Sequence, residues 1–469
     1  MWDFSLNSFD QVWALLIQIG LLLIFLIIGD ICRKKIPFIK KFHIPAALMG
    51  GLLFFLLKIL LKEAFHFELV NDDFMKIVTY HCLAIGFIAM TLKINKHEKR
   101  DGLGTLSIQN GLITGGTYMI QAVFGLLVVF IFIWCGKNMF YDTGVLLPLA
   151  FGQGPGNALT WDVNFSSKEF MSALGAEGML DTNGSLGLTL ASVGFIVASV
   201  IGVIYINICK KKGLIKEKAV KKERTVDEFI NEEEVEDNNS IDKLSIQVGL
   251  IAICYAITFG IMCLLSLNSF TNTFAWGFNF IFGVLAATLL KAILKYFRKK
   301  NVIKHNFINN YQMDRISGFA FDLMIIAGVS AIDIYAIKDY IWVIVALSVV
   351  GTIVTFLYIK FLTKICFKGY ENEMFLINFG TLTGTASNGI ILLREVDPNY
   401  ETPASTIFVV SQFTAMLAVA PLLLIINFSA MSMTHALIAL GIFGAIFIVY
   451  TVLIIVLSKK YKNRPKTNN

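Results

Sequence analysis

Blocks of apolar residues, each of about 20 positions, recur along the chain between short polar stretches, and a block of that length crosses a bilayer as one helix. Spans are predicted at Val12 to Cys32, Ile44 to Leu61, Phe74 to Leu92, Thr105 to Trp134 and Gly184 to Cys209. After a charged stretch they resume at Leu244 to Leu267, Phe274 to Phe297, Ile316 to Ala331, Tyr340 to Leu362, Ser405 to Phe428 and Thr434 to Leu457, which makes eleven. Two further apolar segments, GVLLPLAFGQGPGNALTW (144–161) and MFLINFGTLTGTASNGIILL (374–393), have glycine-rich centres that break a helix.

Charge decides how the two broken segments sit. If each enters and leaves on one face, the loops on one side of the membrane hold four Lys and no Arg, and those on the other hold thirty-one Lys and Arg. That asymmetry is the positive-inside signature, with the N-terminus outside and the C-terminus cytoplasmic. A full crossing by the first broken segment would put the linker's nine basic residues outside.

The order of elements then repeats: four spans, a broken segment and a span, once starting outside and once starting inside. FGQGPGNA (151–158) and FGTLTGTA (379–386) agree at four of eight positions. They lie 228 residues apart, close to the 232 between the first spans of the halves. The expected fold is an all-α polytopic membrane protein with an inverted repeat and two re-entrant glycine-rich loops. Its parts are a first membrane repeat (1–209), a charged cytoplasmic linker (210–243), a second, inverted repeat (244–428) and an extra C-terminal helix with a basic tail (429–469).

Composition agrees: the chain is 56% hydrophobic, with a mean hydropathy of +0.70. The net charge of +7 sits in short clusters at the ends of apolar runs, which argues for membrane topology and against nucleic acid. Seven cysteines are scattered without a CxxC or Cys/His cluster, so no metal site or cofactor is expected. The first ten residues lack the basic region of a cleaved signal peptide, and the first run is taken as a retained helix.

Irregular backbone at membrane depth must be buried in protein or line a watery cavity. A broken helix offers free N–H groups to a carboxylate and free C=O groups to sodium. The side chains at the breaks suit that chemistry. Gln153 and Asn157 carry amides, and Thr381, Thr383, Thr385, Ser387 and Asn388 carry oxygens for a cation or an ammonium group. Gly152, Gly154, Gly156, Gly380, Gly384 and Gly389 admit close backbone approach, Pro155 stops a helix, and a β-carbon at Gly154 or Gly384 would oppose any positive φ. The competing account of the glycines is tight helix packing. Asp322 is an intramembrane acid, either a ligand for sodium or a substrate ammonium, or a structural hydrogen-bonding group. Arg394 reads first as a cytoplasmic anchor and His81 as a packing residue, while Asp30 and Lys58 are expected to reach the interface.

IPAALMGGLL (44–53), a glycine motif ending in Trp161, and GTLTGTASNG followed by LLREVDP resemble the sodium/glutamate symporter family over roughly Val12 to Phe428. The resemblance implies a homodimer in the plasma membrane that takes up glutamate, or a related amino acid or carboxylate, with sodium by an elevator-like movement. At the first break Gln153 and Pro155 depart from the family's usual motif, which bears on the solute more than on the fold. The alternatives are proton- or sodium-coupled transport of another small organic anion, and a channel. A membrane enzyme would need converging acids and histidines that the spans lack.

Overall fold

The computed structural model describes residues 9–93, 103–214, 242–267, 276, 279–302, 307–398 and 401–462; most of the charged linker lies outside them. In chain order the helices are α1 (Phe9–Lys35), α2 (Pro37–Lys41), α3 (Ala46–Phe65), α4 (Asp72–Leu92), α5 (Leu103–Trp134), α6 (Leu146–Gln153), α7 (Pro155–Ser166), α8 (Lys168–Ala173) and α9 (Ser185–Lys211). After the linker come α10 (Lys243–Leu265), α11 (Asn279–Lys299), α12 (Asn310–Ser330), α13 (Ile334–Ile337), α14 (Ile341–Cys366), α15 (Glu371–Thr383), α16 (Ala386–Arg394), α17 (Ala404–Ser429) and α18 (Met433–Lys462). No strand occurs among the described residues. Several helix starts are written in the sequence: Asn71, Asp242 and Asn309 each accept hydrogen bonds from first-turn N–H groups of α4, α10 and α12.

Each of the eleven expected spans is a helix of 20 residues or more, and among the described residues nine helices are long and apolar enough to cross a membrane. The other two expected spans are α3 and α12. Lys58, Lys62 and Glu63 interrupt the first, and Asp314, Arg315 and Asp322 the second.

The chain divides into two compact units. The first holds α1, α3 and α4 with α10, α11 and α12. Its tightest contacts explain the GG pair of IPAALMGGLL. A β-carbon on Gly50 would lie 2.3 Å from the Phe25 carbonyl oxygen of α1, and one on Gly51 would lie 2.8 Å from Val329 Cβ of α12. The pair thus lets α3 press its backbone against α1 on one side and α12 on the other.

Two lysines close helix ends in this unit. Lys58 Nζ on α3 donates to the carbonyls of Ser330 (2.8 Å) and Ile332 (2.9 Å) at the end of α12, and to Asp72 Oδ1 (2.9 Å). Lys291 Nζ on α11 donates to the carbonyls of Thr91 (2.9 Å) and Lys93 (2.6 Å) at the end of α4. Each places a positive charge where the last carbonyls of a helix have no partner of their own. Lys58, expected at the interface, instead has a side chain only 12% exposed, because these carbonyls are within reach. Asp30 is half-exposed and paired with Lys34 at 2.6 Å.

The second unit holds α5 to α9 and α13 to α18. Helix α5, without a charged residue, packs against α6, α14, α17 and α18, and α9 packs against α6, α7, α14, α15 and α16. These two deeply buried helices organise the broken segments around them.

Replacing Lys58 by Met leaves the Ser330 and Ile332 carbonyls without their donor. The expected loss is about 1.5–3 kcal/mol, the range for hydrogen bonds to a charged group. Lys291→Met should cost a similar amount, seen as a lower unfolding midpoint of the detergent-solubilised protein. An unchanged midpoint in both variants would show that the caps contribute nothing.

Candidate functional site

The first broken segment folds as α6, a one-residue break, and α7. At the break Gly154 has φ +78° and ψ −169°, a conformation only glycine takes without strain. Pro155 opens α7, where its missing N–H costs nothing. Gly152 makes room for the ring of Tyr118 on α5, which a β-carbon would meet at 2.4 Å.

The second broken segment folds as α15, a two-residue break, and α16. Gly384 has φ −134°, so the positive φ considered from the sequence occurs at Gly154 and not here. Space constrains Gly384 instead: a β-carbon would lie 2.6 Å from Asn388 Nδ2 and 3.1 Å from Ala198 Cβ. Helix α16 folds back on α15 through Gly380 and Gly389, since a β-carbon on Gly380 would stand 2.7 Å from Gly389 Cα.

Helix α9 brings the two segments together. A β-carbon on Gly187 would lie 2.5 Å from the Ala158 carbonyl oxygen of α7. One on Gly194 would meet both segments, the Thr383 carbonyl oxygen at 2.3 Å and Phe151 at 3.1 Å. Farther along, Gly202 faces Leu392 of α16 at 2.5 Å. The glycines of α9 therefore allow both breaks to approach one helix.

Polar atoms without partners collect at these breaks. Asn157 (0% exposed) leaves both its Oδ1 and Nδ2 unpaired, and Asn388 (4% exposed) leaves Nδ2 unpaired. Gln153 Oε1 and Thr385 Oγ1 are also buried without a partner. Burying such a group unpaired costs roughly 1–3 kcal/mol, so the set fits a polar solute and a hard cation, with amides for the first and oxygens for the second. Neither segment holds a charged residue (144–161 and 374–393), so charge would be met by helix ends and amides alone.

The other candidates fall as follows. Thr381 and Thr383 turn their hydroxyls back to the Ile377 and Phe379 carbonyls of α15, Ser387 is exposed, and Gly156 is buried at the start of α7. Asp322 lies on α12, in the first unit, and is not brought to the breaks within their own unit. Arg394 is exposed at the end of α16, and His81, also in the first unit, contacts the Tyr255 hydroxyl.

Sequence reasoning missed several residues around the breaks. Gln121 on α5 donates to Thr355 (2.8 Å) and to the Leu382 carbonyl (3.0 Å), and Asn110 links Asn378 (2.7 Å) to Ser411 (2.8 Å). Two buried acids fasten the segments to the helices that follow them. Asp162 of α7 accepts from Thr182 (2.6 Å), Ser166 (3.3 Å) and the Gly187 N–H (2.8 Å). Asp397, just past α16, accepts from the N–H groups of Glu401 (2.9 Å) and Thr402 (2.8 Å) and from the Thr402 hydroxyl. Acids sought inside the spans could not reveal these, which sit at or beyond segment ends.

Gly154→Ala forces a β-carbon into a glycine-only conformation, at an expected cost of about 1–3 kcal/mol. Gly384→Ala meets no positive φ; its β-carbon crowds the end of the Asn388 side chain and stands 3.1 Å from Ala198 Cβ and the Gly380 carbonyl oxygen, contacts that small shifts relieve, so it should cost less. Thermal unfolding of the two variants checks the order, and a larger loss at Gly384 would contradict it. Among comparisons with known proteins, a family model described as Sodium/glutamate symporter matches residues 9–402. A search of curated proteins found no match.

Proposed function

The chain belongs to the sodium/glutamate symporter family, and from that membership we propose that it carries glutamate, or a related amino acid or carboxylate, into the cell with sodium at the paired breaks of α6/α7 and α15/α16. The family is one of sodium-coupled transporters, not enzymes. The observation that carries the reading is the meeting of two broken helices on α9, each uncharged around its break, with the unpaired polar atoms of Gln153, Asn157, Thr385 and Asn388 there.

The proposed architecture is an inverted repeat with two re-entrant hairpins. Its support is structural bookkeeping that recurs between the halves. Each half gives its first three spans to the first unit, and its fourth span, broken segment and fifth span to the second. Lys58 and Lys291, 233 residues apart, sit on the second span of their halves, and each caps the third span of the other half. Asp162 and Asp397 each secure the exit of one hairpin. Separate units also suit an elevator-like movement, in which the unit that holds both breaks would carry the solute.

In this reading Asn157, Asn388 and the N-terminal N–H groups of α7 and α16 meet carboxylate oxygens, while Gln153, Thr385 and the last carbonyls of α6 and α15 offer oxygens to sodium. Asp322 is proposed as a further ligand for sodium or a substrate ammonium. The assembly is a homodimer in the plasma membrane, with the N-terminus outside and the C-terminus cytoplasmic. The departures at Gln153 and Pro155 favour a second reading with the same fold and a different small organic anion, driven by protons or sodium.

Uptake of labelled amino and dicarboxylic acids into proteoliposomes, with and without an inward sodium gradient, tests the proposal. Glutamate or a close relative should accumulate only with the gradient. Asn157→Ala and Asn388→Ala should each lower uptake about tenfold or more, the scale of one lost charge-assisted hydrogen bond. Uptake of every solute that ignores sodium would overturn sodium coupling, and full activity in both variants would move the site elsewhere. Asp322→Asn should lower uptake while the protein stays inserted; unchanged sodium dependence would leave that residue a structural role.

A further inference from the structure

Among the described residues of the second unit three aspartates are fully buried: Asp142, Asp162 and Asp397. Two are placed as carboxylates. Asp162 accepts from two hydroxyls and a backbone N–H, and Asp397 from two N–H groups and a hydroxyl. Asp142, in the turn that leads into α6, has a different setting. Its Oδ2 meets Ser429 Oγ at 2.9 Å, and its Oδ1 has no partner.

The hydrogens around Ser429 can be counted. Its hydroxyl stands 2.9 Å from Asp142 Oδ2 and 2.9 Å from the Ile426 carbonyl oxygen. It owns one hydrogen and cannot donate to both. Both contacts become hydrogen bonds if the carboxyl donates to Ser429 Oγ and Ser429 donates to Ile426. The location agrees. Ser429 is the last residue of α17, where the helix dipole disfavours a negative charge. A bare carboxylate buried there with a single donor would be costly.

We propose that Asp142 is a proton-binding site: at neutral pH it is a carboxylic acid that donates to Ser429 and ties the start of the first hairpin to the end of α17. The bound proton stands in for the second and third donors that the other two acids find in protein. Burial moves Asp142 well above the usual carboxylate range, in the same sense. The segment that carries it lies against α5 with almost no room to yield, because a β-carbon on Gly144 would stand 2.3 Å from the Gly125 backbone.

The titratable groups around this point are few. Helices α5, α6 and α17 have no charged residue; α5 contributes only Tyr118. Tyr141, beside Asp142, donates to the Ala430 carbonyl at 2.8 Å and is pushed up to about 12, chiefly by burial. Glu177 holds the Met431 carbonyl through its backbone N–H, His435 contacts Ser432 at the start of α18, and Lys137 is exposed in the turn after α5. None supplies a cation to Asp142. Because the folded state raises its pKa, the stabilisation from Asp142 is complete below the ordinary carboxylate range and is lost as pH rises through the raised value.

Infrared spectroscopy of the full chain in membranes tests the site. The wild type should show a protonated-carboxyl C=O band at neutral pH that Asp142→Asn lacks, since an amide donates to Ser429 in the same way without ionising. Ser429→Ala should keep the band and shift it, because the acid loses its acceptor. In detergent, the unfolding midpoint of the wild type should fall on going from neutral to alkaline pH by more than that of Asp142→Asn. Identical carboxyl bands in wild type and Asp142→Asn, or equal alkaline losses in both, would mean that Asp142 is ionised and would overturn the proposal.

Discussion

A helix that stops where water cannot reach leaves N–H and C=O groups that only protein can satisfy, and the rest of this structure is arranged around that constraint. The breaks at Gly154 and Gly384–Thr385 are tolerable because protein surrounds them. That enclosure depends on α9, whose Gly187, Gly194 and Gly202 remove the side chains that would keep the segments apart. It depends equally on α5, where Gln121 takes up the Leu382 carbonyl near the end of α15. The most buried helices are therefore also the ones with glycines and amides at membrane depth, where a lipid-facing helix such as α18 keeps apolar side chains.

The same constraint governs helix ends in the first unit. Among its described residues no helix is interrupted by a glycine-rich break, and loose carbonyls occur at the ends of α4 and α12. Lys291 of α11 closes the first and Lys58 of α3 the second. In both units, then, a backbone group that water would satisfy in a soluble protein is met by a side chain or backbone distant in sequence. Lys58 and Ser330, separated by 272 positions, are the plainest case.

That distance sets what the sequence can and cannot disclose. Apolar length and terminal charge are local, and all eleven predicted spans form helices. Gly154 and Pro155 are equally legible, because a positive φ and a missing N–H are properties of one residue. The need for glycine at Gly384 arises from Asn388 and Ala198, which only the fold supplies, so reasoning from φ pointed to the wrong cause there. Lys58 looked like an interfacial lysine because its acceptors are in another part of the chain. The four side chains with unpaired atoms at the breaks were all named from the sequence, since Gln, Asn and Thr beside helix-breaking glycines are unusual in packing motifs. Asp142, Asp162 and Asp397 escaped notice, as acids near span ends are ordinarily solvated and only burial distinguishes them.

The absence of charge from residues 144–161 and 374–393, which contain both breaks, bears on why a carrier of this design would couple one solute to another. A carboxylate entering a site lined by amides and helix ends gives up its water for partial charges, and an isolated ion pays heavily for that exchange. A sodium ion entering alone meets the same difficulty, with carbonyl and amide oxygens in place of a carboxylate. Bound together, each supplies the full charge that the protein withholds, and the pair is far cheaper to enclose than either member. A lysine or arginine at the breaks would neutralise the anion permanently and let it occupy the site without sodium. On the proposed reading, the neutrality of residues 144–161 and 374–393 makes occupancy by the anion contingent on the cation.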